Sequence, residues 1–330
     1  MNLLTVENLT VTLATGSGEA QAVRNLSFNV GRGEILGVAG ESGSGKTMTA
    51  LSMLGLLPYK GKATGSIKFD GREVLTSTKR EYRDLRGKDI AMIFQDPMTS
   101  LHPMLTVEVQ LTEHLRHHRK VSKDAARNSA LELLATVKIP EPAAALKAHP
   151  SQFSGGMRQR IAIAMALACE PKLLIADEPT TALDVTVQAG ILKLLHQLRD
   201  ERNLSVMVIT HDLGVLSSLT DRIMIMYAGS EVESGLTKDL LQNPRHPYTK
   251  GLIAALPGNS VSNSKSLLSI EGMPPELGKF PSGCAFHTRC TFAKESCKGE
   301  TPAVTNLTPS HRIYCPVNPF ADASNSGSKS

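Results

Sequence analysis

The stretch Gly40-Glu41-Ser42-Gly43-Ser44-Gly45-Lys46-Thr47 constrains this chain more than any other, because it fits the pattern Gly, four open positions, Gly-Lys-Ser/Thr. The apolar run Ile35 to Ala39 before it reads as a buried strand, and Met48 to Leu57 after it reads as a helix. Glycines let successive backbone N–H groups face one concavity, and the following helix adds the positive end of its dipole, so the segment is expected to hold a polyphosphate. Lys46 is expected to reach the β- and γ-phosphates, and the Thr47 hydroxyl to ligate Mg²⁺. A chain organised around this unit is α/β.

Length and composition bound the rest. The chain's 330 residues give room for one large domain with an appendage or for two modest ones, and 41% apolar with 20% charged residues describes a soluble globular protein. The absence of Trp argues against a base-stacking nucleic-acid platform. A net charge of +5 suits a nucleotide, a nucleic acid or an anionic membrane surface, and does not choose among them. The start MNLLTVENLTVTL has no basic residues leading into an apolar stretch, and no segment approaches about 18 uninterrupted apolar residues. The chain is therefore expected to be cytoplasmic, with any membrane role needing a partner that spans the bilayer.

In order, residues 1 to 34 alternate apolar and polar positions in short runs, Leu3 to Val6 and Leu26 to Val30, around the turn-rich Ala14 to Gly18, and read as an antiparallel sheet edge. Ile67 to Gly71 reads as a strand and turn, Lys79 to Lys88 as a charged segment, and Ile90 to Phe94 as a strand ending at Gln95. From about 96 to 160 the pattern is mainly helical, punctuated by Pro103, Pro140, Pro142 and Pro150, as an insertion into a strand-and-helix core. Ser154 is a candidate N-cap, and Gly155 and Gly156 would permit a phosphate to approach the helix start.

Lys172 to Ala176 then forms a short apolar run ending in Asp177-Glu178, as a central parallel strand presents acids at its carboxyl edge. Asp177 suits a Mg²⁺ shell and Glu178 the orientation of a water. Val206 to Thr210 is a further buried strand ending at His211, and Ile223 to Val232 reads as a hairpin closing the sheet. His114, His117 and His118, with Arg116, Arg119 and Lys120, read as a solvated helix face, and Cys169 as a small core residue.

Composition shifts to Ser, Asn, Gly and Pro from Gly258, which marks a boundary. Beyond it lie Cys284, Cys290, Cys297 and Cys315, with Cys315 followed by Pro316. Four gathered cysteines in a chain of this kind imply one tetrathiolate site rather than disulfides. Thiolate softness permits Zn²⁺ or an iron-sulfur cluster; paired C-x-x-C ribs of zinc ribbons are missing, while a Cys-Pro end occurs in bacterial ferredoxin-type ligation. His287 and His311 lie among them as possible substitutes, and Asp322 to Ser330 is expected to be disordered.

Taken as an ordered set, the phosphate loop, Gln95, Ser154-Gly155-Gly156, Asp177-Glu178, Ala182-Leu183-Asp184 and His211 resemble the ATP-binding subunit of ABC transporters. The runs Phe94 to Leu101, His149-Pro150, Ala176 to Thr186 and Arg245 to Thr249 narrow the resemblance to the dipeptide and oligopeptide importer branch. It implies a P-loop NTPase core with an antiparallel β subdomain, an inserted helical subdomain and a small Cys-rich C-terminal extension, divided as residues 1–257 and 258–330. It also implies that Gln95 senses the γ-phosphate beside Mg²⁺, Asp177 holds Mg²⁺, Glu178 polarises the attacking water, His211 contacts the γ-phosphate and Asp184 belongs to the nucleotide-binding set.

In such head-to-tail dimers, Ser154 to Gly156 of one subunit close over ATP held by the other's phosphate loop. The tail of this branch carries a [4Fe-4S] cluster in some members, which favours the cluster over Zn²⁺. Three departures stand out. His102 replaces the branch's usual Asn; Met157 replaces the broad family's Gln, though Met there is ordinary for this branch; and no aromatic precedes Phe28, leaving Leu13 where a ring usually stacks on adenine.

The resemblance further implies two transmembrane permease subunits, a second ATPase that is a related chain or otherwise a second copy, an extracytoplasmic binding protein, no nucleic acid, and a peripheral place on the cytoplasmic face of the membrane. A nickel, metallophore or other small-solute importer would use the same motor. A soluble ATPase of the superfamily acting on nucleic acid or the ribosome is the alternative of another class; the compact helical insert and the lack of a second nucleotide domain or long coiled coil speak against it.

Overall fold

The computed structural model describes residues 2–16, 18–96, 100–181, 183–256 and 270–320. Ser17, Pro97, Met98, Thr99 and Ala182, the boundary at 257 to 258 and the last residues from Asp322 lie outside the described residues. The chain divides into two compact units: a phosphate-loop unit of Thr5–Asn29, Leu36–Lys68 and Thr210–Ser330, and a helical unit of Met1–Leu4, Val30–Ile35 and Phe69–Ile209. The tail thus groups with the phosphate loop.

The chain opens with two long strands, β1 (Asn2–Thr15) and β2 (Gly18–Gly31), each of 14 residues, where the sequence shows only short apolar runs. Asn8 and Asn25 adopt positive φ within them, a conformation that Asn tolerates. β3 (Ile35–Ala39) is buried throughout and leads through the phosphate loop into α1 (Lys46–Met53). The expected helix, Met48 to Leu57, is corrected at both ends. It starts two residues earlier, and it stops because Gly55 turns left-handed (φ 58°) while Leu56 N–H bonds back to Leu51 O at 2.9 Å. β4 (Lys62–Phe69) follows.

In the helical unit, β5 (Arg72–Glu73) and α2 (Lys79–Leu85) come first. α2 occupies the segment that reads only as charged; its signal is the capping box of Thr78 and Glu81. Strand β6 (Ile90–Ile93) precedes α3 (Val107–Arg119), α4 (Lys123–Thr136), α5 (Pro142–Lys147) and α6 (Gly155–Leu167). Side chains at the N-caps start three of these helices, with Thr106, Ser122 and Ser154 accepting from Val109, Ala125 and Met157 N–H. Strand β7 (Leu173–Asp177), helix α7 (Val185–Arg202) and strand β8 (Ser205–Thr210) complete the unit. β7 runs parallel between β6 and β8, pairing Ile90 with Leu173 and Asp177 with Ile209. A strand paired on both sides and buried on both faces needs the unbroken apolar run that β7 has.

The chain then returns to the phosphate-loop unit with α8 (Leu213–Leu219), β9 (Arg222–Tyr227), β10 (Ser230–Leu236), α9 (Thr237–Gln242) and α10 (Pro247–Ala254). β9 runs parallel to β3 and pairs with β10 as the expected hairpin. The hairpin does not close the sheet. Beyond single turns at His287–Arg289 and Glu295–Cys297, the tail adds β11 (Thr305–Thr308) and β12 (His311–Ile313), and β12 pairs antiparallel with β10, Glu233 opposite Ile313.

Two buried carboxylates tie this edge. Glu231 takes both Arg312 donors at 2.8 and 2.9 Å; burial raises its pKa and Arg312 opposes the shift. Glu233, fully buried, accepts from His311 Nε2 and from the backbone N–H groups of Arg245 and His246 at 2.8 to 2.9 Å. Such a carboxylate is tolerated inside because its oxygens are met by donors. Cys169 is buried, as expected of a core residue.

Candidate nucleotide site

The phosphate loop is shaped by contacts that only glycine permits at two positions. A Cβ on Gly40 would lie 2.2 Å from Met226 O, and one on Gly45, at φ 97°, would lie 2.5 Å from Ala22 O. Lys46 is nearly buried, and its ammonium donates to Gly40 O at 2.7 Å, Glu41 O at 2.9 Å and Ser44 Oγ at 3.3 Å. The loop is pinned from outside by Gly229 N–H to Ser44 O at 3.0 Å and by Glu41 N–H to the Tyr248 hydroxyl at 2.9 Å. Ser42 and Gly43 are exposed at its tip, and Thr47 sits half-buried in the first turn of α1. The arrangement places an ammonium and a helix start together at the end of a core strand, which suits a polyanion. In the same unit, exposed His211 follows β8 directly.

The helical unit gathers Gln95, Asp177 and Glu178 at the carboxyl ends of β6 and β7. Asp177, 2% exposed, is a carboxylate at the end of an otherwise apolar strand, a setting that calls for a cation or donors. Glu178 is held in the left-handed region at φ 48° by its N–H bond to Ile209 O at 2.8 Å. Its Oε2 accepts from the Thr181 hydroxyl at 2.7 Å and, at the limit of hydrogen-bond distance, from Gln95 Nε2 at 3.5 Å. Sequence reasoning missed Thr181, although its place three residues after Glu178 was a usable signal.

In the Ser154-Gly155-Gly156 segment, exposed Ser154 caps α6 as expected. Gly156 has a packing reason of its own, since a Cβ there would meet Val187 Cγ1 on α7 at 2.5 Å. Asp184 serves as the N-cap of α7, accepting from Val187 N–H at 2.9 Å.

Cys284, Cys290, Cys297 and Cys315 form no disulfide and line one small cavity together with His246, Phe286 and His287. Backbone N–H groups aim at three of the sulfurs: Phe286 at Cys284, Phe292 at Cys290, and Val317 and Asn318 at Cys315, the last at 3.3 Å. Burial pushes the Cys284 thiol up to about 11 and raises Cys290 and Cys315 as well. Among the described residues no group of three or more His, Cys, Asp or Glu side chains is arranged to hold a metal ion, the His114, His117 and His118 face included. Of the two substitute ligands, His311 is taken by Glu233, and His287 Nδ1 lies 2.9 Å from Cys284 O.

Comparison with known proteins gives three findings. Residues 23–181 match the family described as ABC transporter, and residues 232–297 match the oligopeptide/dipeptide transporter C-terminal region. The chain is 49% identical over 315 residues to the dipeptide transport ATP-binding protein DppD of Bacillus subtilis, covering 95% of this chain and 94% of that protein. It is also 49% identical over 300 residues to the oligopeptide transport ATP-binding protein OppD of Salmonella typhimurium, covering 91% and 89%. Among solved structures it is similar to the ATP-binding cassette MJ0796, a dimer in a post-hydrolysis state bound to ADP and Pi, with TM-score 0.64 and 30% identity over 71% of this chain and 98% of that one. Among the described residues no helix is long and apolar enough to cross a membrane.

Proposed function

The chain belongs to the ABC transporter family, and from that premise we propose that it is the ATP-hydrolysing subunit of an importer for dipeptides or oligopeptides. One observation carries the reading: an ATP-binding cassette is followed in the same chain by the oligopeptide/dipeptide C-terminal region, with similarity to peptide-transport relatives along nearly the full length. That second match favours peptide over nickel or another small solute. The chain works at the cytoplasmic face of the membrane with two permease subunits, a second ATPase of the same kind and an extracytoplasmic binding protein.

In this reading the backbone of Gly40 to Thr47 takes the polyphosphate, and Lys46 exchanges its loop acceptors for the β- and γ-phosphate oxygens. Thr47 and Asp177 are hard oxygen donors of the kind Mg²⁺ prefers, and the near-complete burial of Asp177 suits a cationic neighbour. Bound Mg²⁺ would neutralise charge building on the β- and γ-phosphates. Glu178, steadied by Thr181 and Gln95, orients the water that attacks the γ-phosphorus; the bond to the bridging oxygen breaks and ADP leaves. His211 meets the γ-phosphate. Ser154 to Gly156 and Asp184 act on the nucleotide held by the partner ATPase, so that ATP joins two subunits and hydrolysis parts them.

The test is Glu178→Gln in the assembled transporter, which should keep ATP binding while turnover falls by about a hundredfold or more. Near-normal peptide uptake by that variant, or ATPase activity that nucleic acid stimulates and permeases do not, overturns the reading.

A second reading concerns the thiol cavity. The four tail cysteines are not arranged around a metal ion in this structure, but they share one pocket and backbone N–H groups are directed at three of their sulfurs, which is the reason for proposing that they gather on a [4Fe-4S] cluster rather than Zn²⁺. Iron and zinc analysis of anaerobically purified protein decides it: about four irons per chain support the cluster, and stoichiometric zinc without iron overturns it.

A further inference from the structure

Arg289, in the tail turn His287–Arg289, spends its whole donor set far from its own segment. Its side chain is 5% exposed. Nη1 donates to Glu41 Oε2 at 2.7 Å and to the Tyr227 hydroxyl at 3.3 Å; Nη2 donates to Glu41 Oε1 at 3.1 Å and to Ile270 O at 3.3 Å; Nε donates to Glu271 O at 2.9 Å. The guanidinium has five N–H donors, and each has an acceptor here. Two of them form the fork-to-carboxylate pair that fixes direction as well as distance.

The acceptor, Glu41, is the second residue of the phosphate loop. Its N–H is held by the Tyr248 hydroxyl and its carbonyl accepts from Lys46 Nζ, the ammonium assigned above to the phosphates. Tyr248 and Tyr227 pack with their rings tilted by 59° and their centroids 4.7 Å apart, and Phe286 of the tail packs on both at 5.2 to 5.3 Å. Glu41 is therefore gripped at its amide, its carbonyl and its carboxylate. Its charge is also a problem for the loop, since a carboxylate beside a polyphosphate site repels the ligand unless a cation neutralises it.

We infer that Arg289 is a positioning residue for the nucleotide site: from the C-terminal extension it fixes and neutralises Glu41, so that the phosphate loop keeps its anion-binding shape. The inference rests on the nucleotide reading above. It makes the tail a working part of the ATP site, and it acts through Glu41 without touching the nucleotide.

The test measures MgATP and MgADP affinity of the full-length chain and the KM and kcat of the assembled transporter. Arg289→Ala should weaken both affinities about tenfold and raise KM with little change in kcat, because the loss falls on ground-state phosphate binding. Arg289→Lys, which can reach one oxygen but cannot make the fork, should recover part of the loss. With Glu41→Gln already present, Arg289→Ala should change affinity by less than about twofold, since the coupled partner is gone.

A lowered melting temperature with unchanged affinity and KM would show a merely structural tie and overturn the inference. So would a full tenfold loss persisting in the Glu41→Gln background. Should Arg289→Ala fail to fold, the Arg289→Lys and Glu41→Gln variants still decide. A wild-type chain that binds no MgATP would instead fault the nucleotide reading itself.

Discussion

Strand β7 and the tail hairpin of β11 and β12 are held by opposite means. β7 is five buried residues, four of them aliphatic, paired on both sides with parallel neighbours. β12 is three residues long and is fixed by Arg312 to Glu231 and His311 to Glu233, partners 81 and 78 residues away in sequence. The first kind of strand declares itself, because burial on both faces demands an apolar run wherever it occurs. The second does not. Each half of such a buried pair reads alone as a solvated polar side chain, and only the fold shows that the two meet.

The contrast can be broken by substitution. Ile175→Ala in β7 should cost about 4 kcal/mol in chemical unfolding, through lost burial and a cavity that parallel neighbours cannot close. Glu233→Ala should cost about 3 kcal/mol, since it strands two backbone N–H groups and the His311 ring in a buried site. If that loss were under about 1 kcal/mol, the tail would be only loosely attached and the two strands would not be comparable.

Asp70→Asn should cost the least. Asp70 pairs with Lys172 at 2.6 Å and with Arg32, and is partly exposed, so a loss of under about 1 kcal/mol that shrinks in high salt is expected. The Lys172 hydrogen bond first, then Arg32, lowers the Asp70 pKa below its usual 3.8. Its contribution is present above that value and disappears as pH falls through the lowered pKa, so wild type and variant should converge in strong acid.

What could be read beforehand divides along the same line. β3, β6, β7 and β8, the phosphate loop and the Ser154 cap were legible because each rests on a local pattern: an apolar run, glycines at fixed spacing, a hydroxyl at a helix start. The end of α1 at Gly55 was not, since apolar residues continue to Leu57 and a left-handed glycine overrides them. The Thr181 support of Glu178 was within reach of local reasoning. The grip of Arg289 on Glu41 spans 248 residues and lies beyond any periodicity or spacing.

The place of β11 has a bearing on how the protein behaves in concentrated solution. A sheet edge offers unpaired N–H and C=O groups to any passing strand. In this unit the outermost strand is the four-residue Thr-Asn-Leu-Thr segment, three of whose residues are exposed and polar. Behind it lies the three-residue β12, and behind that β10, seven residues long and largely buried. A chain cut before residue 305 would present β10 at the edge instead, so the last strands guard against self-association, a service separate from the grip of Arg289 on the nucleotide loop.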